Sequence, residues 1–265
     1  MRMMSIASGS SGNCTFIEDK GTVLLVDAGI SLKKIEEGLN AAECTGRDIT
    51  GVLITHEHND HIKGLGVLLR KYDVPVYATE GTIKGIEACR NMGKYDRSLF
   101  REIGKNDILS IGEIEVRVHP ISHDAREPVC YSFHSGSSKA VVATDMGCYN
   151  DDLQQFLMNS DCMLIEANHD IHMLEVGPYP YELKRRILGE YGHLSNDTSG
   201  KLIKGLLNNH ITGLMLGHLS KENNFEELAF ETVKCEIMDN PFTDDVRDFN
   251  LTVAKRDTYG DVFEF

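Results

Sequence analysis

Gly51-Val52-Leu53-Ile54-Thr55-His56-Glu57-His58-Asn59-Asp60-His61 runs from an apolar stretch straight into three imidazoles and a carboxylate. Residues 51–55 have the character of a short buried strand, and Ile62, Leu65, Leu68, Leu69 and Tyr72 follow at helical spacing. The histidines therefore lie on a strand-to-helix loop. Alternate residues of extended chain share a side, so His56 and His58 can serve one cation while Asp60 and His61 turn toward a second. A structural zinc closes with four ligands and needs no such surplus. The spacing predicts a two-metal site; a merely polar loop in a chain with 11 histidines is the alternative.

The His-x-His-x-Asp-His pattern resembles the signature of the metallo-β-lactamase superfamily, whose four-layer αββα sandwich holds one or two metals along the edge between its two sheets. That resemblance implies three further ligands in a set order, and candidates occur in that order. His123 ends a segment in which Ile114, Val116 and Val118 alternate, and would complete three imidazoles on the first metal. Asp145 closes the apolar run Ala140-Val141-Val142-Ala143-Thr144, and a carboxylate there can bridge two cations. His218 closes Gly213-Leu214-Met215-Leu216-Gly217 and would join Asp60, His61 and Asp145 on the second metal. Nitrogen-rich ligands suit Zn²⁺, Mn²⁺ or Fe²⁺.

A chain of 265 residues with 41% hydrophobic content can bury a large core. We expect one domain over 1–265, with similarly planned halves at about 1–107 and 108–265. No 18-residue apolar run occurs, and Gly9 breaks the N-terminal segment too soon for a signal peptide. Seven cysteines, odd in number and without C-x-x-C spacing, read as reduced and mostly buried thiols. These features predict a cytoplasmic protein with no membrane partner. The net charge of −14 repels polyanions at long range, yet salt screens distant charges beyond about 8 Å and two divalent cations would reverse the sign locally.

Expected strands lie near 3–8, 14–18, 22–27, 51–55, 74–77, 114–119, 129–134, 140–144, 162–166, 213–217 and 251–255. Expected helices lie near 31–40, 62–72, 80–92, 150–158, 180–191, 197–208 and 224–238. Strands followed by helices in both halves fit two sheets between helix layers.

Three loops bear on the chemistry. Gly192-His193-Leu194-Ser195-Asn196 resembles the Gly-His-Ser segment of the RNase Z-like phosphodiesterase branch, which implies His193 as general acid or phosphate ligand; a histidine bonded only to backbone is the alternative. Ser195 or Asn196 would cap the next helix. Ser8-Gly9-Ser10-Ser11-Gly12-Asn13-Cys14 offers N–H groups that could cradle an anion, with Ser10, Ser11 and Asn13 toward substrate, or else a tight turn. Leu164-Ile165-Glu166-Ala167 resembles the His-Glu-Ala-Thr segment of the same branch with Ile165 in place of its histidine. Glu166 would orient a ligand histidine from behind, or cap a helix. His169 and His172 have no role legible here.

Taken together, these loops most resemble the YycJ or WalJ group of bacterial metallo-hydrolases. The group implies 5′-to-3′ exonuclease action on DNA tied to repair, by a dinuclear site with a bridging hydroxide and with Asp60 and His193 catalytic. Only 21 residues lie between His123 and Asp145, so the long arm of tRNA 3′-processing enzymes is missing, as is any β-CASP-sized insertion. Substrate must meet the core loops. Lys184 and Arg186 could contact phosphates or form a solvated helix face, and Tyr179 and Tyr181 could stack on bases or lie in the core. A phosphodiesterase acting on a small cyclic phosphate and a non-catalytic metal-binding regulator are the rival readings.

Overall fold

In the computed structural model, which describes residues 1–243 and 245–265, the run Thr22-Val23-Leu24-Leu25-Val26 is buried throughout. Val23 and Leu25 join a cluster with helices, while Leu24 and Val26 join a cluster with a second sheet. Side chains alternate along a strand, so a strand apolar at every position must be covered on both faces. Val141 and Ala143 against Ala140 and Val142 repeat the pattern in the other half. Covering both faces of two sheets yields four layers, helix, sheet, sheet, helix, as the sequence led us to expect.

The first sheet runs β1 (Arg2–Ala7), β2 (Cys14–Asp19), β3 (Thr22–Val26), β4 (Ile49–Leu53), β5 (Val76–Ala78) and β6 (Phe100–Glu102) in spatial order. The second runs β7 (Ile108–Ile111), β8 (Ile114–Pro120), β9 (Val129–Ser135), β10 (Ser138–Ala143), β11 (Cys162–Glu166), β12 (Gly213–Gly217) and β13 (Leu251–Val253). β14 (Phe263–Glu264) returns to pair with β1 in the first sheet. In each sheet the early strands are antiparallel and the later ones parallel: β3 to β6 in one, β10 to β13 in the other. Parallel strands end at one edge, and that edge carries the site.

Helices α1 (Leu32–Ala41), α3 (Leu65–Lys71) and α4 (Glu80–Ala88) bury Ile35, Leu39, Leu65, Leu68, Ile83 and Ile86 on the outer face of the first sheet. Helices α5 (Asp151–Leu157), α8 (Asn196–Leu206) and α9 (Glu226–Ile237) cover the second. Each fully buried Leu or Ile contributes about 1.5–3 kcal/mol before the entropy of ordering is subtracted. Ser31, Thr79, Asn150 and Ser195 cap α1, α4, α5 and α8 by accepting a backbone N–H of the first turn, each worth about 1 kcal/mol.

Several elements differ from expectation. The helix expected over 62–72 divides into α2 (Asn59–Ile62) and α3 at Gly64, whose N–H donates to Ala28 O at 2.7 Å and where a Cβ would lie 1.9 Å from Ile30 O. The helix over 180–191 ends early as α7 (Tyr181–Leu188), because Gly192 turns back against Ile187 O with no room for a Cβ. α6 (Ile171–Val176) was not foreseen, although Asp170 caps it by accepting from Met173 N at 2.7 Å. β6, β7 and β14 were also unforeseen. They are short edge pieces, and β7 joins β8 through a two-residue turn with Gly112 at φ 56°. Among the described residues no helix is long and apolar enough to cross a membrane.

Candidate metal centre and active site

Every candidate ligand follows the C-terminal end of a strand. His56 to His61 follow β4, His123 follows β8, Asp145 follows β10 and His218 follows β12. The first set comes from one sheet and the others from the facing sheet, so the cluster forms where the two sheet edges meet.

The candidate ligands collect into two adjoining groups, and Glu166 and His193 make a third with Asp145 and His218. His56, His58 and His123 each offer a nitrogen within 4.8 Å of the others, and so do Asp60, His61, Asp145 and His218 with their own donor atoms. His123 Nε2 lies 3.2 Å from His58 Nδ1. Asp145 Oδ2 lies 3.3 Å from His61 Nε2, while its Oδ1 lies 3.4 Å from His218 Nε2 and 3.8 Å from His123 Nε2. The carboxylate thus touches both groups. Asp60 Oδ2 is 3.3 Å from His218 Nε2 and 3.5 Å from His61 Nε2.

A ring of partners fixes these side chains. His61 Nδ1–H donates to Asp27 Oδ2 at 2.7 Å, which leaves Nε2 to face Asp60 and Asp145. Asp27 also accepts from Thr55 N–H at 2.9 Å and from the Thr55 hydroxyl, which lies 3.0 Å from His56 Nδ1. Glu166 does the same in the other half. Its Oε1 meets His193 Nδ1 at 2.8 Å and His218 Nδ1 at 3.0 Å, and its Oε2 accepts from Met146 N at 2.8 Å and Leu194 N at 3.1 Å. Of the two roles open to Glu166, orienting histidines is the one its contacts serve. Asn168 Nδ2 donates to His218 O at 2.8 Å, and the Ser8 hydroxyl accepts from His218 N at 2.8 Å.

Asp27 and Thr55 escaped the sequence reading. Val26-Asp27-Ala28-Gly29 nonetheless carries the signal that marked Thr144-Asp145-Met146-Gly147, an apolar strand closed by Asp with Gly two residues on. Both aspartates turn through left-handed backbone, with φ 63° at Asp27 and 62° at Asp145, and His218 does so at 55°. Only a well-supported site sustains that conformation in residues with a Cβ.

The charge balance of the cluster suits a cation. Burial depresses His61 and His218, but Asp27, Asp145 and Asp60 hold His61 well above its ordinary value, and Asp145, Asp60 and Glu166 raise His218 to about 10. Burial pushes Asp27 up as well, yet three donors from Thr55 and His61 favour its carboxylate form. Burial also pushes Glu166 and Asp145 upward, but the neighbouring imidazoles bring Glu166 down to about 2 and Asp145 well below its usual range. His56 is held well below its ordinary value by burial and then by His61, so it presents a free lone pair. Its buried Nε2 and the buried Asp145 Oδ2 have no hydrogen-bond partner. An unpartnered imidazole nitrogen, an unpartnered carboxylate oxygen and carboxylates crowded against histidines are what divalent transition-metal ions bind, so the residues fit the expected group.

The remaining candidates lie around this cluster. His193 is partly exposed at its mouth. Asn13 is buried; its Oδ1 accepts from Gly9 N at 2.9 Å and its Nδ2 lies 3.1 Å from His61 Nε2, so it braces the loop against the cluster while Ser10 and Ser11 stay exposed. Lys184 and Arg186 are engaged within the chain, Lys184 with Glu175 O at 2.7 Å and Arg186 with Asp124. Tyr181 is exposed on α7 and His172 is exposed on α6, whereas His169 is buried with neither ring nitrogen partnered.

Gly29 holds the metal loop in place, since a Cβ there would lie 1.6 Å from Asp60 O. Gly29→Ala is therefore expected to cost about 1–3 kcal/mol or more and to displace Asp60. Thermal unfolding together with metal content checks this, and an unchanged midpoint with full metal content would refute it.

Residues 7–157 match the family described as the Metallo-beta-lactamase superfamily. The chain is 41% identical over 224 residues to the exodeoxyribonuclease YycJ of Bacillus anthracis, covering 84% of each chain. It is 43% identical over 231 residues to the exodeoxyribonuclease WalJ of Streptococcus pneumoniae, covering 86% of this chain and 85% of that one. Among solved structures, zinc-bound PqqB from Methylobacterium extorquens superposes with a TM-score of 0.70 at 16% identity, over 98% of this chain and all of the other.

Proposed function

The chain belongs to the metallo-beta-lactamase superfamily, and from that premise we propose that it is a metal-dependent phosphodiesterase that degrades DNA from an end, 5′ to 3′. One observation carries the chemistry: two donor groups adjoin at the sheet edges, Asp145 touches both, and His193 stands at their mouth. The polymer is supported by two relatives named exodeoxyribonucleases, each matched over most of its length.

His56, His58 and His123 would hold one cation, and Asp60, His61, Asp145 and His218 the other. When bound, such a pair supplies Lewis-acid stabilisation of phosphoryl charge and lowers the pKa of water. The chain supplies the rest. Asp27 and Glu166 keep the ligand imidazoles in the tautomer that turns Nε2 to the site. Glu166 also fixes Nδ1 of His193, so that its Nε2 can carry a proton to the departing oxygen. As a hydroxide oxygen bonds to phosphorus, the bond to the leaving oxygen breaks, and that oxygen takes the proton from His193. Ser10, Ser11 and Asn13 would flank the incoming phosphate, and Lys184 and Arg186 would act only at the rim. Seven unpaired cysteines support a reducing, cytoplasmic setting.

Cleavage of end-labelled duplex DNA, single-stranded DNA and RNA by Mn²⁺- or Zn²⁺-loaded protein tests the reading. Shortening of DNA from the 5′ end, lost in a folded Asp60→Ala protein, is expected. Equal shortening by both proteins, or none of any polymer, would overturn it.

A further inference from the structure

In a chain of net charge −14, one cavity beside the metal centre is walled by cations. It measures about 600 Å³ and lies between the start of α1, the turn from α2 to α3, and Ser11. Lys33, Lys34, Lys63 and Arg256 line it, and the one carboxylate among its walls, Asp257, pairs with Lys34 at 3.0 Å. Lys33 has only a loose partner, Glu37 at 3.8 Å on its own exposed helix face. Among the described residues Lys63 and Arg256 form no ion pair, and Arg256 Nη1 is buried beside Gly9 without a hydrogen-bond partner.

Its position ties the cavity to the chemistry. Gly29 and Gly64 form part of its wall, Gly29 lies directly against the Asp60 carbonyl, and Lys63 follows His61 by two residues. Exposed Ser11 lines the cavity, and Asn13, two residues on, reaches His61 Nε2 at 3.1 Å. Beyond Arg256 a second cavity of about 280 Å³ adds Lys221 and the half-exposed ring of Phe225. Glu226 and Glu227 also reach this second cavity, but Glu226 is taken up by Lys255.

We propose that this basic groove is the track for the phosphate backbone of the DNA strand running on from the scissile bond, an inference that rests on the nuclease reading and says where the polymer lies. An acidic protein binds a polyanion only through a local field strong enough to outweigh its net charge, and such a field needs cations not already neutralised by neighbouring carboxylates. Lys63 and Arg256 meet that condition, whereas Arg186 is held by Asp124. Phosphate contacts plus an exposed aromatic face bind a strand regardless of its sequence, which suits progressive degradation.

Affinity for labelled linear DNA, measured by anisotropy across a salt series, tests the track with Asp145→Asn in every protein to prevent cleavage. One protein adds Lys33→Gln, Lys34→Gln and Lys63→Gln; a control removes equal charge from α8 and α9 with Lys201→Gln, Lys204→Gln and Lys234→Gln. The groove variant should bind about tenfold more weakly or worse and flatten the dependence of log Kd on log salt by about 2–3, at roughly 0.9 per phosphate contact, while the control stays within about twofold of the parent. Equal losses in both variants would reduce the effect to net charge and overturn the track. DNA bound equally by all three proteins removes the track alone, whereas an unsubstituted, metal-loaded protein that neither binds nor shortens DNA removes the nuclease reading with it.

Discussion

An Asp145→Asn protein is expected to fold, to bind less metal and to lose turnover by a factor on the order of 10³ or more. Asn keeps the size and shape of Asp, so the substitution removes charge while leaving the packing nearly unchanged. Asp145 offers carboxylate oxygens within 4 Å of ring nitrogens in both groups, reaching His61, His123 and His218. Its loss should therefore weaken both positions together, unlike the loss of His58, which belongs to one. Metal analysis after gel filtration, circular dichroism and DNA cleavage form the test. Full metal content with wild-type cleavage would show that the carboxylate is not needed where the two groups adjoin, and the dinuclear reading would fall.

Replacing His193 with Ala should have an effect that depends on the leaving group. If His193 delivers the proton, DNA, whose leaving alkoxide is strongly basic, should be cut about 10²- to 10⁴-fold more slowly. A bis(p-nitrophenyl) phosphate, whose leaving phenolate needs no proton, should lose far less. A histidine that merely braces its loop would slow both substrates alike, so equal losses sink the general-acid role. The geometry favours the catalytic role, since Glu166 fixes Nδ1 while the ring is 15% exposed at the mouth of the site.

How much of this was readable in advance varies by residue. The run from His56 to His61 declared its chemistry because adjacent residues supply the donors, and strands apolar at every position declared two covered sheets. His123, Asp145 and His218 are set apart by tens of residues, and only the order implied by a family resemblance joined them. Asp27 carried the same local signal as Asp145 but belonged to no quoted motif; its role depends on His61, 34 residues away in sequence. Basic side chains show the converse. Lys184-Arg185-Arg186 is conspicuous as a run, yet at the surface Lys184 donates to Glu175 O and Arg186 pairs with Asp124. The cations of the groove are scattered from Lys33 to Arg256 and become neighbours only when the chain folds. Likewise β6, β7 and β14 have too few residues to show a pattern, and the strand alongside each decides its pairing.

The left-handed turns at Asp27, Asp145 and His218 bear on how this protein can evolve. Glycine adopts that backbone without the roughly 1–2 kcal/mol penalty that a side chain incurs. It would also dilute the crowded carboxylates if it replaced either aspartate. Selection for heat resistance alone would therefore drift toward glycine at these three positions and reward inert descendants. Aspartate and histidine persist there only while the chemistry is under selection, so a lineage that no longer needs the reaction should betray it first at residues 27, 145 and 218.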